Sequence, residues 1–177
     1  FYPQLIKKVI DFIKAHSDAP IILGGFGFSA YPEEMLKYFD VDFGLCGDGE
    51  GSLQMLLKCF LSGESYDDLP GIVFKREDVV KRNGINYSSP LSLSKPSQRI
   101  VNYDYYRRLD AGAGIESKRG CAKNCIYCLE PYVKGRRMRL KSVDEVLSEI
   151  DALLSLGMDS FMFLDSEFNF PLDHSLS

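Results

Sequence analysis

Apolar residues recur along this chain with two different periods. Between Phe1 and His16, Leu5, Ile6, Val9, Ile10 and Ile13 fall at helical spacing with lysines opposite, which predicts an amphipathic helix. Pro20-Ile21-Ile22-Leu23 is a short apolar strand stopped by Gly24-Gly25. A second helix is expected after the Tyr31-Pro32 turn, with Met35, Leu36 and Phe39 inward. Val41 to Cys46 reads as another strand, ending at Gly47-Asp48-Gly49-Glu50-Gly51, and Ser52 to Leu61 as a helix. This α-β-α-β-α order belongs to a parallel sheet with crossover helices. Two strands are too few for an independent sheet, so the first half of that domain is expected to be missing.

From Leu69 to Tyr87 the period changes to two. Gly71 to Lys75 and Val79 to Arg82 read as a hairpin around Arg76-Glu77-Asp78. Ser88 to Gln98, rich in Ser and Pro, reads as an extended linker, and Tyr103 to Leu109 as a short helix. Ala113 to Ser117 is expected to be a strand. A capping box at Ser142-Val143-Asp144-Glu145 opens a helix to about Leu156, with Val143, Val146, Leu147, Ile150, Leu153 and Leu154 as its buried stripe and Gly157 after its end. Glu149 reads as exposed. Ser160 to Leu164 is expected to be a buried strand, ending in Asp165-Ser166-Glu167. The whole is an α/β chain of 177 residues that starts without Met inside an amphipathic pattern, and a fragment cut at both ends is expected.

Composition narrows the function classes. A net charge of −4 gives no reason to expect nucleic acid as a partner. No apolar run approaches the roughly 20 residues of a membrane span, and the start does not resemble a signal peptide. Five cysteines without a secretory signal argue for a reducing cytoplasm rather than a disulfide framework.

Three of those cysteines, Cys121, Cys125 and Cys128, lie within eight residues. Gaps of three and two residues let the thiolates converge on three irons of a cubane, and the lack of a nearby fourth cysteine leaves one iron open for chemistry. Gly120 relieves crowding at the turn. Structural zinc is the competing reading, as a non-enzymatic zinc or iron–sulfur binding module. It wants a fourth Cys or His, and His16, His174, Cys46 and Cys59 are all remote in sequence. Between Ser117 and Lys141, eight Lys or Arg residues face a single acid, Glu130. They read mostly as a solvated loop, with a share near an anionic cluster.

The C-x3-C-x2-C spacing, Tyr127 before the last cysteine and the preceding Arg119-Gly120 resemble the signature of the radical S-adenosylmethionine (SAM) superfamily. That resemblance implies a 4Fe–4S cluster on Cys121, Cys125 and Cys128. It further implies SAM chelated at the fourth iron and cleaved to a 5′-deoxyadenosyl radical, with an electron donor such as flavodoxin or ferredoxin. It gives Tyr127 a place near the adenine, with a loop-anchoring core residue as the alternative, and gives Arg139 a supporting role at SAM. In place of the family's Gly-Gly-Glu motif stands Asp165-Ser166-Glu167-Phe168-Asn169, which resembles the Asp-x-x-Phe-Asn pattern of members with a cobalamin-binding domain. Asp165 and Glu167 become SAM-binding candidates, with strand-end capping as the alternative.

The first half of the chain resembles the second half of that cobalamin-binding domain, with Gly24 and Gly25 against the cofactor's nucleotide tail and Asp48 replacing the first Glu of a Gly-Glu-Gly-Glu segment. The resemblance implies half of a Rossmann-like, cobalamin-type parallel sheet over 1–66, a connector with a β-hairpin over 67–110, and the first β-loop-α-β of a partial TIM-type radical SAM barrel over 111–177. The implied parent is a cobalamin-dependent methyltransferase acting on an unactivated carbon of a small molecule or natural product. The fragment alone is expected to be inactive.

Overall fold

A computed structural model describes residues 2–77, 79–87 and 97–176. The chain divides into two compact units, Phe1–Ser88 and Ser89–Ser177. Most of the stretch read as a linker, and Asp78 of the predicted hairpin turn, lie outside the described residues. Among the described residues no helix is long and apolar enough to cross a membrane.

The first unit is a mixed sheet flanked by helices. In chain order it comprises α1 (Pro3–His16), β1 (Ile22–Leu23), α2 (Phe26–Ala30), α3 (Pro32–Phe39), β2 (Phe43–Leu45), α4 (Gly49–Ser62), β3 (Ile72–Arg76) and β4 (Val79–Arg82). Proline in the first turn starts both α1 and α3, where its missing N–H costs no hydrogen bond. The five-residue α2 is too short to leave a periodic signal. The α4 helix begins ahead of its predicted start, because Gly49 and Gly51, read as loop, form its first turn.

Strand order is β1-β2-β3-β4, with β1 and β2 parallel and the remaining pairs antiparallel. The predicted hairpin therefore forms, but it extends the sheet through Gly44↔Val73 instead of standing apart from it. Alternation along β2 and β3 feeds two cores. Val73 and Cys46 pack with Phe28, Leu36, Phe39 and Val41, whereas Leu45, Ile72 and Phe74 pack with Leu56. Gly44 is required where the Phe28 ring crosses the sheet, since a Cβ there would lie 1.9 Å from it. Of the stripe predicted for α1, only Ile10 is buried. Ile6 packs partly against the core and Leu5, Val9 and Ile13 remain exposed, because the cluster meets the helix along a narrow line. Asp40 closes α3 in the left-handed region at φ 50°. Lys75 and Lys14, 2.6 and 3.0 Å from its carboxylate, hold its pKa down to about 2.

The second unit contains α5 (Tyr103–Arg108), β5 (Ala113–Ile115), β6 (Lys118–Arg119), α6 (Glu130–Val133), β7 (Arg139–Leu140), α7 (Val143–Ser155), β8 (Phe161–Phe163) and α8 (Leu172–Leu176). β5 and β8 pair in parallel, with α7 in the crossover between them. The predicted capping box is present, with Ser142 and Glu145 exchanging hydrogen bonds at the α7 N-terminus, and Gly157 follows the helix at φ 80°. Ala113, Ile115, Val146, Leu153 and Met158 form the core.

Three expectations fail in this unit. Leu147 and Leu154 lie outside the buried stripe, and β8, expected to be buried, leaves Met162 57% exposed. Among the described residues β8 has a partner only on its β5 edge, so little packs over its remaining surface. Glu149 is buried rather than exposed. It sits three residues after Val146 and four before Leu153, on the inner face, and its carboxylate lies 2.7 Å from the equally buried Lys141 ammonium. Removing one member of such a pair strands the other charge.

β6 and β7 pair antiparallel through Lys118↔Leu140 and Arg119↔Arg139 and close the base of the excursion that carries the cysteines. Gly120, just inside that base, has φ 106°, and a Cβ there would stand 2.4 Å from the Arg137 carbonyl oxygen.

Two outcomes are expected in denaturant unfolding. Glu149→Ala should cost about 3–5 kcal/mol, whereas Glu149→Leu combined with Lys141→Met should cost far less. Gly120→Ala should cost roughly 1–3 kcal/mol from backbone strain.

Candidate functional site

The cysteine excursion has no helix or strand of its own between Arg119 and Glu130, so its conformation depends on its anchors. The Cys121 N–H donates to the Gly135 carbonyl at 2.9 Å, and the Cys128 N–H donates to the Cys125 carbonyl at 3.1 Å, forming a tight turn. The Asn124 side chain accepts from Arg136, linking the two limbs. Cys121 is buried, Cys128 half-buried and Cys125 exposed, and all three are free thiols. Their sulfurs do not converge here: among the described residues no group of three or more Cys, His, Asp or Glu side chains is arranged to hold a metal ion. The chemistry of the donor set nevertheless fits a cluster with three thiolate ligands, since three free cysteines share one short loop.

The other candidate ligands are engaged elsewhere. Cys46 and Cys59 belong to the first unit's core, where burial pushes the Cys46 thiol up to about 11 and the Cys59 sulfur faces the Ser65 carbonyl. His16 Nδ1 lies 2.7 Å from the Phe12 carbonyl oxygen. His174 does fold back, but its Nε2 lies 2.8 Å from the Lys141 carbonyl, an acceptor, so that nitrogen carries the proton.

Asp165-Ser166-Glu167, just beyond β8, touches the cysteine excursion at three successive places. Asp165 accepts from the Ser117 N–H at 2.8 Å, the Lys118 N–H at 3.0 Å and the Ser117 hydroxyl at 2.5 Å, ahead of the cysteines. Glu167 lies 3.4 Å from the ammonium of Lys123, between Cys121 and Cys125. The Ser166 hydroxyl donates to Glu130 at 2.6 Å, after the last cysteine. These three consecutive residues, distant in sequence from the loop, thus contact it before, within and after the cysteine triplet. Arg139 is buried, and its Nη2 donates to the Lys134 carbonyl at 2.5 Å. Tyr127 is 86% exposed at the loop tip beside the fully exposed Ile126, so it is not a core anchor.

Lys118 was not legible as a site residue. Read as part of a solvated basic loop, it is only 1% exposed. Its ammonium donates to the Phe168 carbonyl at 2.6 Å and the Ser175 hydroxyl at 2.9 Å, over the Phe168 ring. Its only sequence signal is its place at the end of the strand-like run before the cysteines, because its partners are some fifty residues away. Lys141 and Arg139 are buried as well. The solvated reading holds for Lys123, Arg136 and Arg137.

In the first unit, Gly24-Gly25 and Gly47 follow two adjacent parallel strands and lie at the same edge of the sheet. Ser29, fully buried, ties them together. Its hydroxyl donates to the Gly25 carbonyl at 2.9 Å and accepts from the Gly47 N–H at 3.0 Å. Asn86 buttresses the same edge, with its amide donating to the Asp48 carbonyl and the Ser52 hydroxyl, both at 2.9 Å. Gly25 has φ 88°, and a Cβ there or at Gly49 or Gly51 would meet nothing within 4 Å. This open backbone ledge is suited to close approach by a ligand.

No protein-family model matches the chain. Among curated proteins it is 26% identical to tryptophan 2-C-methyltransferase of Streptomyces laurentii, over 96% of this chain and 37% of that protein. Among solved structures it resembles the radical SAM methyltransferase TsrM of Kitasatospora setae, described with tryptophan substrate and a SAM analogue bound. The TM-score is 0.84 at 29% identity, covering 98% of this chain and 34% of that one. A second structure of TsrM is described with cobalamin and a [4Fe–4S] cluster. The cobalamin-dependent SAM radical enzyme OxsB shares the fold, with a TM-score of 0.80 at 23% identity over 93% of this chain and 24% of OxsB. The chain therefore spans about a third or less of the length of these proteins. By sequence and by fold, the chain is similar to radical SAM methyltransferases, one of them described with cobalamin and a [4Fe–4S] cluster bound.

Proposed function

We propose that this chain carries the cluster-binding loop and part of the SAM site of a cobalamin-dependent radical SAM enzyme. The observation that carries the reading is the arrangement of Asp165-Ser166-Glu167 around a loop bearing three free thiols. In this reading 1–66 is half of a Rossmann-like cobalamin-type domain, with the hairpin of 67–110 continuing its sheet, and 111–177 opens a radical SAM barrel.

Cys121, Cys125 and Cys128 would hold three irons of a 4Fe–4S cluster, and the Gly24-Gly25 ledge would meet cobalamin. Bound together, these groups supply one-electron cleavage of SAM and a carrier for its methyl group. The chain's own residues bind and orient. Glu167, beside the cysteine loop, provides a carboxylate for the SAM amino group, and charge assistance makes such a bond stronger than a neutral one. Arg139, by holding the Lys134 carbonyl, orders the returning limb of the loop next to SAM. Tyr127, exposed at the loop tip, is free to pack on the adenine. The parent reaction is most simply methyl transfer to an unactivated carbon of a small molecule or natural product. Ring-forming or rearranging radical chemistry is the next reading, and a flavodoxin or ferredoxin would be the electron source.

Anaerobic reconstitution of the intact protein with iron and sulfide should yield a brown protein with about four irons per chain, bleached by dithionite and perturbed by SAM. Cys125→Ala should lose the cluster. A colourless protein that takes up stoichiometric zinc instead would establish the binding-module reading. Glu167→Gln should keep the iron and weaken SAM binding about tenfold in equilibrium dialysis.

A further inference from the structure

The two carboxylates beyond β8 occupy different environments. Both oxygens of Asp165 are turned toward the root of the cysteine loop. Oδ1 accepts the consecutive N–H groups of Ser117 and Lys118, and Oδ2 accepts the Ser117 hydroxyl. A carboxylate offers about four acceptor sites, and three are spent on this one turn. A reverse tie runs beside it, in which the Lys118 ammonium donates to the Phe168 carbonyl and the Ser175 hydroxyl. The turn at 117–118 is thus fastened to 165–175 by an anion in one direction and a cation in the other. The parallel β5–β8 ladder runs directly into this clamp, with the Leu164 N–H donating to the Ile115 carbonyl at 2.8 Å. Three residues after Lys118 comes Cys121, the first proposed ligand. Glu167, by contrast, keeps a partly exposed carboxylate and pairs with Lys123, within the cysteine loop, at 3.4 Å.

We propose that Asp165 and Lys118 are positioning residues: their clamp sets where the cysteine loop leaves the β5–β8 pair, and Glu167 rather than Asp165 is the carboxylate that meets SAM. The proposal rests on the radical SAM reading above and divides roles that sequence alone leaves shared between the two acids. Its physical basis is the accounting of donors. Without the Asp165 carboxylate, two backbone N–H groups and a hydroxyl in a part-buried turn lose their acceptor. An asparagine can keep its oxygen on the two N–H groups and turn its NH2 to the Ser117 hydroxyl, which then accepts, but it removes the negative charge that strengthens all three bonds. Lys118→Met keeps the bulk of the side chain and removes the ammonium, leaving the Phe168 carbonyl without that donor.

The test uses the anaerobically reconstituted intact protein and separates cluster retention from SAM affinity. Asp165→Asn should lower the thermal midpoint and hasten loss of iron to a chelator by about tenfold, while SAM affinity of the fraction still loaded changes by less than about threefold. Lys118→Met should follow the same pattern. Glu167→Gln should show the reverse, with unchanged iron retention and weaker SAM binding. Should Asp165→Asn fail to fold, Ser117→Ala, which removes only the bond to Oδ2, should still hasten iron loss by a few-fold with SAM affinity intact. The proposal is overturned if Asp165→Asn retains iron like the wild type but binds SAM at least about tenfold more weakly, or if Ser117→Ala and Lys118→Met leave iron retention unaltered. A wild-type protein that takes up no cluster instead defeats the radical SAM reading itself, so the two failures are distinguishable.

Discussion

The second unit depends on how one stretch of irregular backbone is held. A loop bearing three thiols has no ladder of its own, and ordering it costs conformational entropy that its surroundings must offset. The offset is concentrated at the Asp165 carboxylate, which gathers three donors from the turn before the cysteines. The short β6–β7 ladder and the Cys121–Gly135 hydrogen bond close the loop from its other side. Fastened at its base, the loop leaves Cys125, Ile126 and Tyr127 outward.

The buried charges of this unit follow the same logic. Lys118, Lys141 and Arg139 are all withdrawn from solvent, and each is answered by oxygen: a carbonyl and a hydroxyl, a carboxylate, and a carbonyl. Withdrawing a charge from water is costly unless such partners are in place, so these contacts select one arrangement of 117–118, 134–141 and 165–175. The first unit solves a related problem with neutral groups. Ser29 and Asn86 satisfy the backbone at the ends of β1 and β2 from beneath and leave the glycine ledge open above. In both units the residues that shape a candidate site differ from those that would touch a ligand.

Much of this architecture was legible from local pattern. The helix at Pro3–His16, the hairpin, the capping box at Ser142 and the β-loop-α-β order all stand where periodicity and end signals put them. The errors are also instructive. β8 and the apolar face of α1 are less buried than their patterns suggest, since an apolar pattern reports which surface is able to pack and says nothing of what covers it. Glu149, toward the C-terminal half of its helix, reads as exposed, although its spacing to Val146 and Leu153 places it inside. The Lys141 ammonium, brought there by the fold, makes that burial tolerable.

By itself, the sequence determined the chemistry available: three cysteines at cluster spacing, two glycine turns after apolar strands, and a pair of acids after the last strand. These are short-range facts, fixed by covalent order. The tertiary structure alone decided which acid braces the loop and which is left beside it, and which lysine is buried. Those assignments join Ser117 to Asp165 and Lys118 to Ser175 across some fifty residues. Such contacts arise when parallel strands pair through an intervening helix, and no local periodicity encodes them.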